Sequence, residues 1–125
     1  EDGILNTLLA WFEKRINFLV KKGVLLSNVY IDPGIGFGKS AEDCLKIIKN
    51  VHLFKSFGAK VCVGLSRKSF ISNTLNKKKP DLLSTTISMN TMALVAEVDM
   101  IRVHDVKPHR DVIDLLQAYI QIPRV

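Results

Sequence analysis

The sequence predicts an α/β fold in which short parallel strands alternate with longer helices. Three apolar runs of strand length, over residues 28–31, 60–65 and 100–103, are separated by amphipathic segments of helical period. Because a helix-length segment separates each run from the next, the strands are expected to pair in parallel through right-handed crossovers. Each run ends in a charged or glycine-rich stretch, which is where ligands bind in such folds.

The first two helices have recognisable ends. An apolar stripe at helical spacing predicts the first helix over residues 5–22, and Gly23 ends it. Ser40 is the predicted N-cap of the second helix, with Asp43 completing a capping box. That helix is expected to run through residue 57.

The C-terminal part predicts two further helical stretches. A helical segment begins near Phe70, is interrupted over residues 77–80 and resumes over residues 83–98. Pro108 is the predicted start of the last helix. Its buried stripe consists of Val112, Leu115, Leu116, Tyr119 and Ile120.

The number of strands is small for this kind of sheet. A parallel sheet is normally covered by helices on both faces, and three strands would leave its edges open. The chain is therefore expected to form part of a larger barrel.

Composition and charge limit the classes of partner that the chain is expected to bind. The formal charge of +6 favours an anionic partner; the alternative is that the basic residues only form a solvated face. No nucleic-acid partner is expected, because the basic groups are not interleaved with aromatic residues. No membrane partner is expected either, because the longest uncharged stretch, residues 82–96, is shorter than the roughly 20 apolar residues of a span. Cys44 and Cys62 fit neither a disulfide framework nor a metal site and indicate reduced thiols in the cytoplasm.

The run Asp-Pro-Gly-Ile-Gly-Phe-Gly-Lys over residues 32–39 follows the first strand. Asp32 at the strand end could accept two parallel N–H bonds from a flat, guanidine-like ring edge. The glycines allow the backbone to approach a ligand, and Phe37 could lie on the face of the ring. In the alternative interpretation, Asp32 only caps the turn and Phe37 fills the core.

The second strand is followed by Gly-Leu-Ser-Arg-Lys-Ser over residues 64–69. Gly64 has no side chain, so a ligand could lie against the strand there. Lys68 could donate to an oxygen or nitrogen of a ring, and Ser69 could bind a second substrate. The alternative is a solvated loop that exposes Arg67 and Lys68.

The third strand leads into Arg-Val-His-Asp-Val over residues 102–106. Alternation along the strand places Arg102 and His104 on one face, towards the interior and mouth of a barrel, and Asp105 on the other. A guanidinium in that position needs an anion, and a phosphate or pyrophosphate would satisfy both side chains. The alternative partner of Arg102 is a carboxylate from elsewhere in the chain.

The three motifs, in this order and spacing, resemble the C-terminal half of bacterial dihydropteroate synthase over residues 11–119. The resemblance implies a pterin-binding TIM barrel, of which residues 1–125 would be a single C-terminal half with about strands six to eight and their helices. It implies a transferase of folate biosynthesis. The reaction condenses 6-hydroxymethyl-7,8-dihydropterin pyrophosphate with p-aminobenzoate to give 7,8-dihydropteroate and pyrophosphate.

The resemblance also assigns roles to the motif residues. Asp32 would bind the N–H edge of the pterin, while Phe37 and Gly64 would line its pocket. Lys68 would bind the pterin and help to shape the p-aminobenzoate site. Asp32, Lys68 and Arg102 are the implied catalytic residues.

The second substrate and the leaving group have their own implied ligands. Arg67 and Ser69 would bind p-aminobenzoate, and Arg102 and His104 would hold the leaving pyrophosphate. In this family the C–O bond is expected to ionise first, so that the arylamine attacks a pterin cation and no enzyme nucleophile is needed. Mg²⁺ assists, and its asparagine ligand would lie in the N-terminal half of the family's barrel.

The family's first five strands are expected to lie outside this chain, which alone should bind weakly and not turn over. A homodimer through the last helices and competition by sulfonamides are also implied. Residues 77–84 depart from the family's pattern, which leaves the loop there open. Two alternatives remain: a pterin-binding methyltransferase-like domain that binds methyl-folate, and a non-catalytic half-barrel that serves as a dimerisation module.

Overall fold

The computed structural model describes residues 3–78 and 80–124. The predicted three-stranded parallel sheet is confirmed, with the strands in the order β1–β2–β3. The strands are β1 (Tyr30–Ile31), β2 (Lys60–Val63) and β3 (Met100–Ile101). All are shorter than predicted; β1 begins late because residues Leu26–Asn28 form a 3₁₀ turn. Parallel pairing brings the carboxyl ends of all three strands to one edge of the sheet.

The described residues form five α-helices that flank the sheet. They are α1 (Ile4–Lys21), α2 (Ala41–Lys49), α3 (Ser69–Leu75), α4 (Leu82–Val95) and α5 (Val106–Ile120). The prediction for α1 is confirmed to within one residue, and Gly23 follows with a φ of +87°. The predicted interruption over residues 77–80 includes Lys79, which lies outside the described residues.

Helix α2 ends earlier than predicted. Its N-cap is confirmed, because Ser40 Oγ accepts the N–H of Asp43 at 3.0 Å. The predicted helix to residue 57 is wrong in its second half, where Val51–Phe57 form a 3₁₀ segment. The side-chain amide of Asn50 donates to the carbonyl of Lys46 at 2.8 Å, and this local bond competes with continuation of the α-helix.

The two later helices also have different ends from those predicted. Helix α4 stops at Val95, and Glu97 has a φ of +67°, which turns the chain into β3. Helix α5 begins at Val106 rather than Pro108. Pro108 is tolerated in the first turn because the N–H groups there have no acceptor within the helix. The predicted buried stripe of α5 is wrong in three places, because no described element covers that part of the helix and at least 63% of each residue is exposed at Leu115, Tyr119 and Ile120.

The hydrophobic core lies between one face of the sheet and the helices. Ile31, Val61 and Val63 are at most 1% exposed. Phe54 is fully buried and meets the ring of Phe12 edge-on, with the centroids 5.6 Å apart. Residues that alternate with these point to the opposite face, where Tyr30 and Met100 are 46% and 43% exposed and Cys62 is buried. Arg102 follows Met100 on that face.

Asp99 connects the turn before β3 to the start of β2. Its carboxylate accepts the Val61 N–H at 2.7 Å and the Lys55 ammonium at 2.7 Å. Partial burial acts to raise the pKa of Asp99, but the bonds from Lys55 and Val61 and the charges of Lys55 and Lys60 outweigh it, so the pKa is lowered. The ionised carboxylate therefore stabilises the fold.

We expect Asp99→Asn to lower the free energy of unfolding at pH 7 by about 1 kcal/mol. Because the folded-state pKa is lowered, this contribution is present above the unfolded value of about 3.9 and is lost as the pH falls through the folded value. Urea unfolding at pH 7 and pH 3 would measure it, with Asp111→Asn on the exposed face of α5 as the control. An equal loss at both pH values would contradict the electrostatic explanation.

Candidate functional site

Three strand ends meet in one cluster. Asp32 follows β1, Gly64 follows β2 and Arg102 follows β3. The guanidinium of Arg102 donates from Nη2 to Asp32 Oδ2 at 2.5 Å, across 70 residues of sequence. This contact matches the alternative prediction, in which the partner of Arg102 is a carboxylate from elsewhere in the chain. The hydrogen bond to Asp32 and the charge of that carboxylate raise the pKa of Arg102.

A cleft of about 190 Å³ opens beside this ion pair. Its lining consists of Gly64, Ser66, Lys68, Arg102, Val103 and His104. Both predicted anion ligands, Arg102 and His104, thus share one concave surface. Ser66 contacts His104 twice, accepting its main-chain N–H at 3.3 Å and meeting its Nδ1 at 3.0 Å. Sequence reasoning missed Ser66, because a serine between two strand-end residues carries no distinctive pattern.

The glycine-rich loop folds over the end of β1. Asp32 Oδ1 accepts the Gly34 N–H at 2.9 Å, so the carboxylate caps the turn while its other oxygen faces Arg102. Gly36 has a φ of +82°, and a Cβ there would lie 3.0 Å from Cδ of Lys68. Phe37 is 68% exposed, so the alternative that it fills the core is wrong.

Lys39 holds the same loop from within. Its ammonium donates to the carbonyl of Gly34 at 2.9 Å and to that of Phe37 at 3.1 Å. Sequence reasoning assigned no role to this lysine, although it closes the motif. Its role could not be predicted from the sequence, because the two carbonyls come within reach of the ammonium only when the loop is folded.

Lys68 joins the second strand end to the first. Its ammonium donates to the carbonyl of Ile35 and lies 4.5 Å from the centroid of the Phe37 ring. Burial, and then the charge of Arg102, lower the pKa of Lys68, while Asp32 partly opposes them. The side chain is half-buried, so the alternative of a solvated loop does not describe Lys68.

Arg67 and Ser69 lie beside the cleft and do not form its lining. The guanidinium of Arg67 forms a bidentate pair with Asp105, with Nε to Oδ2 at 3.1 Å and Nη2 to Oδ1 at 2.6 Å. Asp105 is thus absent from the Arg102 pair, as strand alternation predicts. Ser69 is exposed at the first position of α3.

The described residues do not provide a ligand set for the magnesium that the resemblance implies. Across residues 3–78 and 80–124, no cluster of three or more His, Cys, Asp or Glu side chains could hold a metal ion. Asp32, the carboxylate of the cluster, is engaged by Arg102 and by the Gly34 N–H. The described residues therefore do not fit a complete metal site.

No described helix is both long enough and apolar enough to cross a lipid bilayer.

We expect Gly64→Ala to move Arg102 without unfolding the protein. A Cβ on Gly64 would lie 2.5 Å from Nη2 and 2.6 Å from Cζ of Arg102, and the guanidinium is the flexible end of its side chain. The change should break the pair with Asp32 while altering the free energy of unfolding by less than about 1 kcal/mol. A crystal structure and a urea titration of the variant would check both parts. An Arg102 guanidinium that keeps its place would contradict this prediction.

The fold is that of an α/β protein with this cluster at the carboxyl ends of its parallel strands, the edge at which such folds bind ligands. The chain belongs to the pterin-binding enzyme family, whose family model matches residues 1–104.

The curated relatives agree with the predicted family. The chain is 31% identical over 117 residues to the dihydropteroate synthase of Haemophilus influenzae, covering 94% of this chain and 42% of the relative. It is 35% identical over 106 residues to the dihydropteroate synthase of Clostridium beijerinckii, covering 84% of this chain and 38% of the relative. The chain thus spans less than half the length of these relatives.

Solved structures show the same fold. The dihydropteroate synthase of Xanthomonas albilineans in complex with 7,8-dihydropteroate matches with a TM-score of 0.91 at 27% identity, over 98% of this chain and 49% of that one. The same enzyme with 4-aminobenzoic acid matches with a TM-score of 0.91, over 98% of this chain and 48% of that one. The predicted resemblance to dihydropteroate synthase is confirmed.

Proposed function

We propose that this chain is the part of a dihydropteroate synthase that binds the pterin and the leaving pyrophosphate. The observation that carries the proposal is the meeting of Asp32, Lys68 and Arg102 at three strand ends, in a chain of the pterin-binding family. The enzyme would condense 6-hydroxymethyl-7,8-dihydropterin pyrophosphate with p-aminobenzoate to 7,8-dihydropteroate and pyrophosphate. The relatives named dihydropteroate synthase support this reaction.

The ion pair between Asp32 and Arg102 offers one partner to each end of the substrate. The N–H edge of the pterin would replace Arg102 on Asp32, because a carboxylate accepts two parallel N–H bonds. The pyrophosphate would take the freed guanidinium together with His104. Gly64 leaves room for the ring beside β2, and Phe37 and Lys68 would lie against it.

The chemistry then needs charge stabilisation and alignment. The C–O bond between the pterin methylene carbon and the pyrophosphate would break, and the pyrophosphate would leave with the electron pair. Arg102 and His104 would stabilise the charge that develops on this leaving group. The amine nitrogen of p-aminobenzoate would attack the methylene carbon and lose a proton. Arg67 and Ser69, next to Lys68, would position this second substrate.

We assign the chain to about strands six to eight of the barrel, as a single C-terminal half. The open edges of β1 and β3 and the solved structures, each covered by about half, support this assignment. Turnover would then require further strands, and the magnesium ligands would come from them. We expect the enzyme in the cytoplasm, where the buried thiols of Cys44 and Cys62 stay reduced.

A homodimer through the last helices also belongs to the proposal. Met92 and Val95 on α4, and Leu115, Tyr119 and Ile120 on α5, are each at least 60% exposed. Apolar side chains in this number on neighbouring helices are typical of a protein interface.

Binding of dihydropterin pyrophosphate, measured by NMR titration, would test the function. We expect wild type to bind it, and Asp32→Asn to weaken binding by at least about tenfold, because the amide group would oppose ring N–H donors. Asp111→Asn is the matched control. Preference for methyl-folate would favour the methyltransferase-like alternative, and failure to bind either compound would favour the non-catalytic dimerisation module.

A further inference from the structure

Arg67 has a backbone conformation that its residue type rarely adopts. Its φ is +56°, in the left-handed region, where a residue with a Cβ is uncommon. Such conformations persist only where the surrounding contacts hold them, and they cluster at functional sites. The contacts that hold Arg67 therefore point to a role for its loop.

Two contacts from different elements hold this residue. The Arg67 N–H donates to Oγ1 of Thr86, a fully buried residue of α4, at 3.0 Å. The Arg67 guanidinium binds both carboxylate oxygens of Asp105, just before α5. A bidentate pair fixes the direction of the side chain as well as its charge.

His109 and Asn90 connect these two anchors behind the loop. His109 is 2% exposed; its Nδ1 lies 2.7 Å from the carbonyl oxygen of Asp105, and its Nε2 lies 2.9 Å from Nδ2 of Asn90. Because a carbonyl can only accept, Nδ1 carries the proton, and Nε2 of the neutral ring accepts from the Asn90 amide. Asn90 and Thr86 are four residues apart on one face of α4, so the contacts close into a ring.

Burial alone does not explain an asparagine at position 90. In the described part of the chain, Asn90 Oδ1 is a buried oxygen without a hydrogen-bond partner. An unpaired buried carbonyl is unfavourable, and such groups call for an explanation. The other end of the same amide explains why asparagine stands here, because Asn90 Nδ2 fixes the His109 ring that holds Asp105.

We propose that Thr86, Asn90 and His109 are positioning residues for the loop over residues 67–69. Thr86 binds the Arg67 N–H directly. Asn90 and His109 act on the other side, where His109 holds Asp105, the partner of the Arg67 guanidinium. This arrangement sets where Lys68 and Ser69 meet their ligands. The consequence for p-aminobenzoate binding rests on the function proposed above.

Thr86→Val tests the proposal, because it removes the hydroxyl acceptor and keeps the shape. Thr91→Val is the matched control: Thr91 lies on the same helix, but its hydroxyl donates to the Ile87 carbonyl and does not reach the loop. We expect hydrogen exchange of the Arg67 amide to become at least about fivefold faster in Thr86→Val, with no change in Thr91→Val. Thr86→Ser, which keeps a hydroxyl, should restore slow exchange.

NMR titrations with two probes separate positioning from general destabilisation. In Thr86→Val we expect the Kd of p-aminobenzoate to rise at least about fivefold, while that of inorganic pyrophosphate stays within about twofold. Unchanged exchange of the Arg67 amide, or equal weakening of both probes, would overturn the proposal.

Two further outcomes remain decisive. If wild type binds neither probe, the function proposed above is wrong, while the exchange measurement still decides whether the ring holds the loop. If Thr86→Val does not fold, Asp105→Asn replaces it, because the loss of the bidentate pair should shift the Nε–H resonance of Arg67. A resonance that stays in place would overturn the proposal.

Discussion

Replacing Arg102 by alanine is expected to weaken the binding of inorganic pyrophosphate about 30-fold, and to lower kcat/KM of the complete enzyme by at least the same factor. Loss of a charged hydrogen-bonding partner costs about 2 kcal/mol, which corresponds to that ratio. Arg102 lies in the cleft beside His104, so no other guanidinium of the lining replaces it. Calorimetry with pyrophosphate and steady-state kinetics would measure the two effects.

Arg110→Ala is the matched control for this experiment. Arg110 also pairs with an aspartate, Asp114, but it lies exposed on α5 and does not line the cleft. Its replacement should leave pyrophosphate binding within about twofold of wild type. An Arg102→Ala protein that binds pyrophosphate as tightly as this control would exclude the anion role of Arg102.

Lys68→Met is expected to lower kcat/KM by at least about 30-fold, mainly through weaker pterin binding. Methionine keeps most of the apolar stem but removes the ammonium that binds the Ile35 carbonyl and lies over Phe37. The glycine-rich loop should then lose its connection to the second strand end. Titration with dihydropterin pyrophosphate and kinetics would check this, with the exposed Lys14→Met on α1 as the control.

The pH dependence of binding gives a second test of Lys68. Burial and the charge of Arg102 lower its pKa, so its ammonium loses its proton at a lower pH than an ordinary lysine. Binding that depends on this charge should fall as the pH rises through the lowered value. The alkaline fall should disappear in Lys68→Met. If Lys68→Met shows the same alkaline fall as wild type, the assignment to Lys68 is contradicted.

Much of the fold was predictable because its signals are local. The alternation of strands and helices, the Ser40 cap and the end of α1 near Gly23 all follow from residues within a few positions of one another. The early end of α2 was not predicted, because the apolar pattern continues past the bond from Asn50 to Lys46.

For the candidate site, the sequence predicts the residues but not their contacts with one another. The sequence by itself determined which residues stand at the three strand ends, since each motif directly follows an apolar run. Only the tertiary structure decided that Arg102 meets Asp32 and that Asp105 meets Arg67 instead. These partners are 70 and 38 residues apart, and no local pattern connects them. The order and register of the parallel strands bring them together, because they determine which carboxyl ends lie side by side.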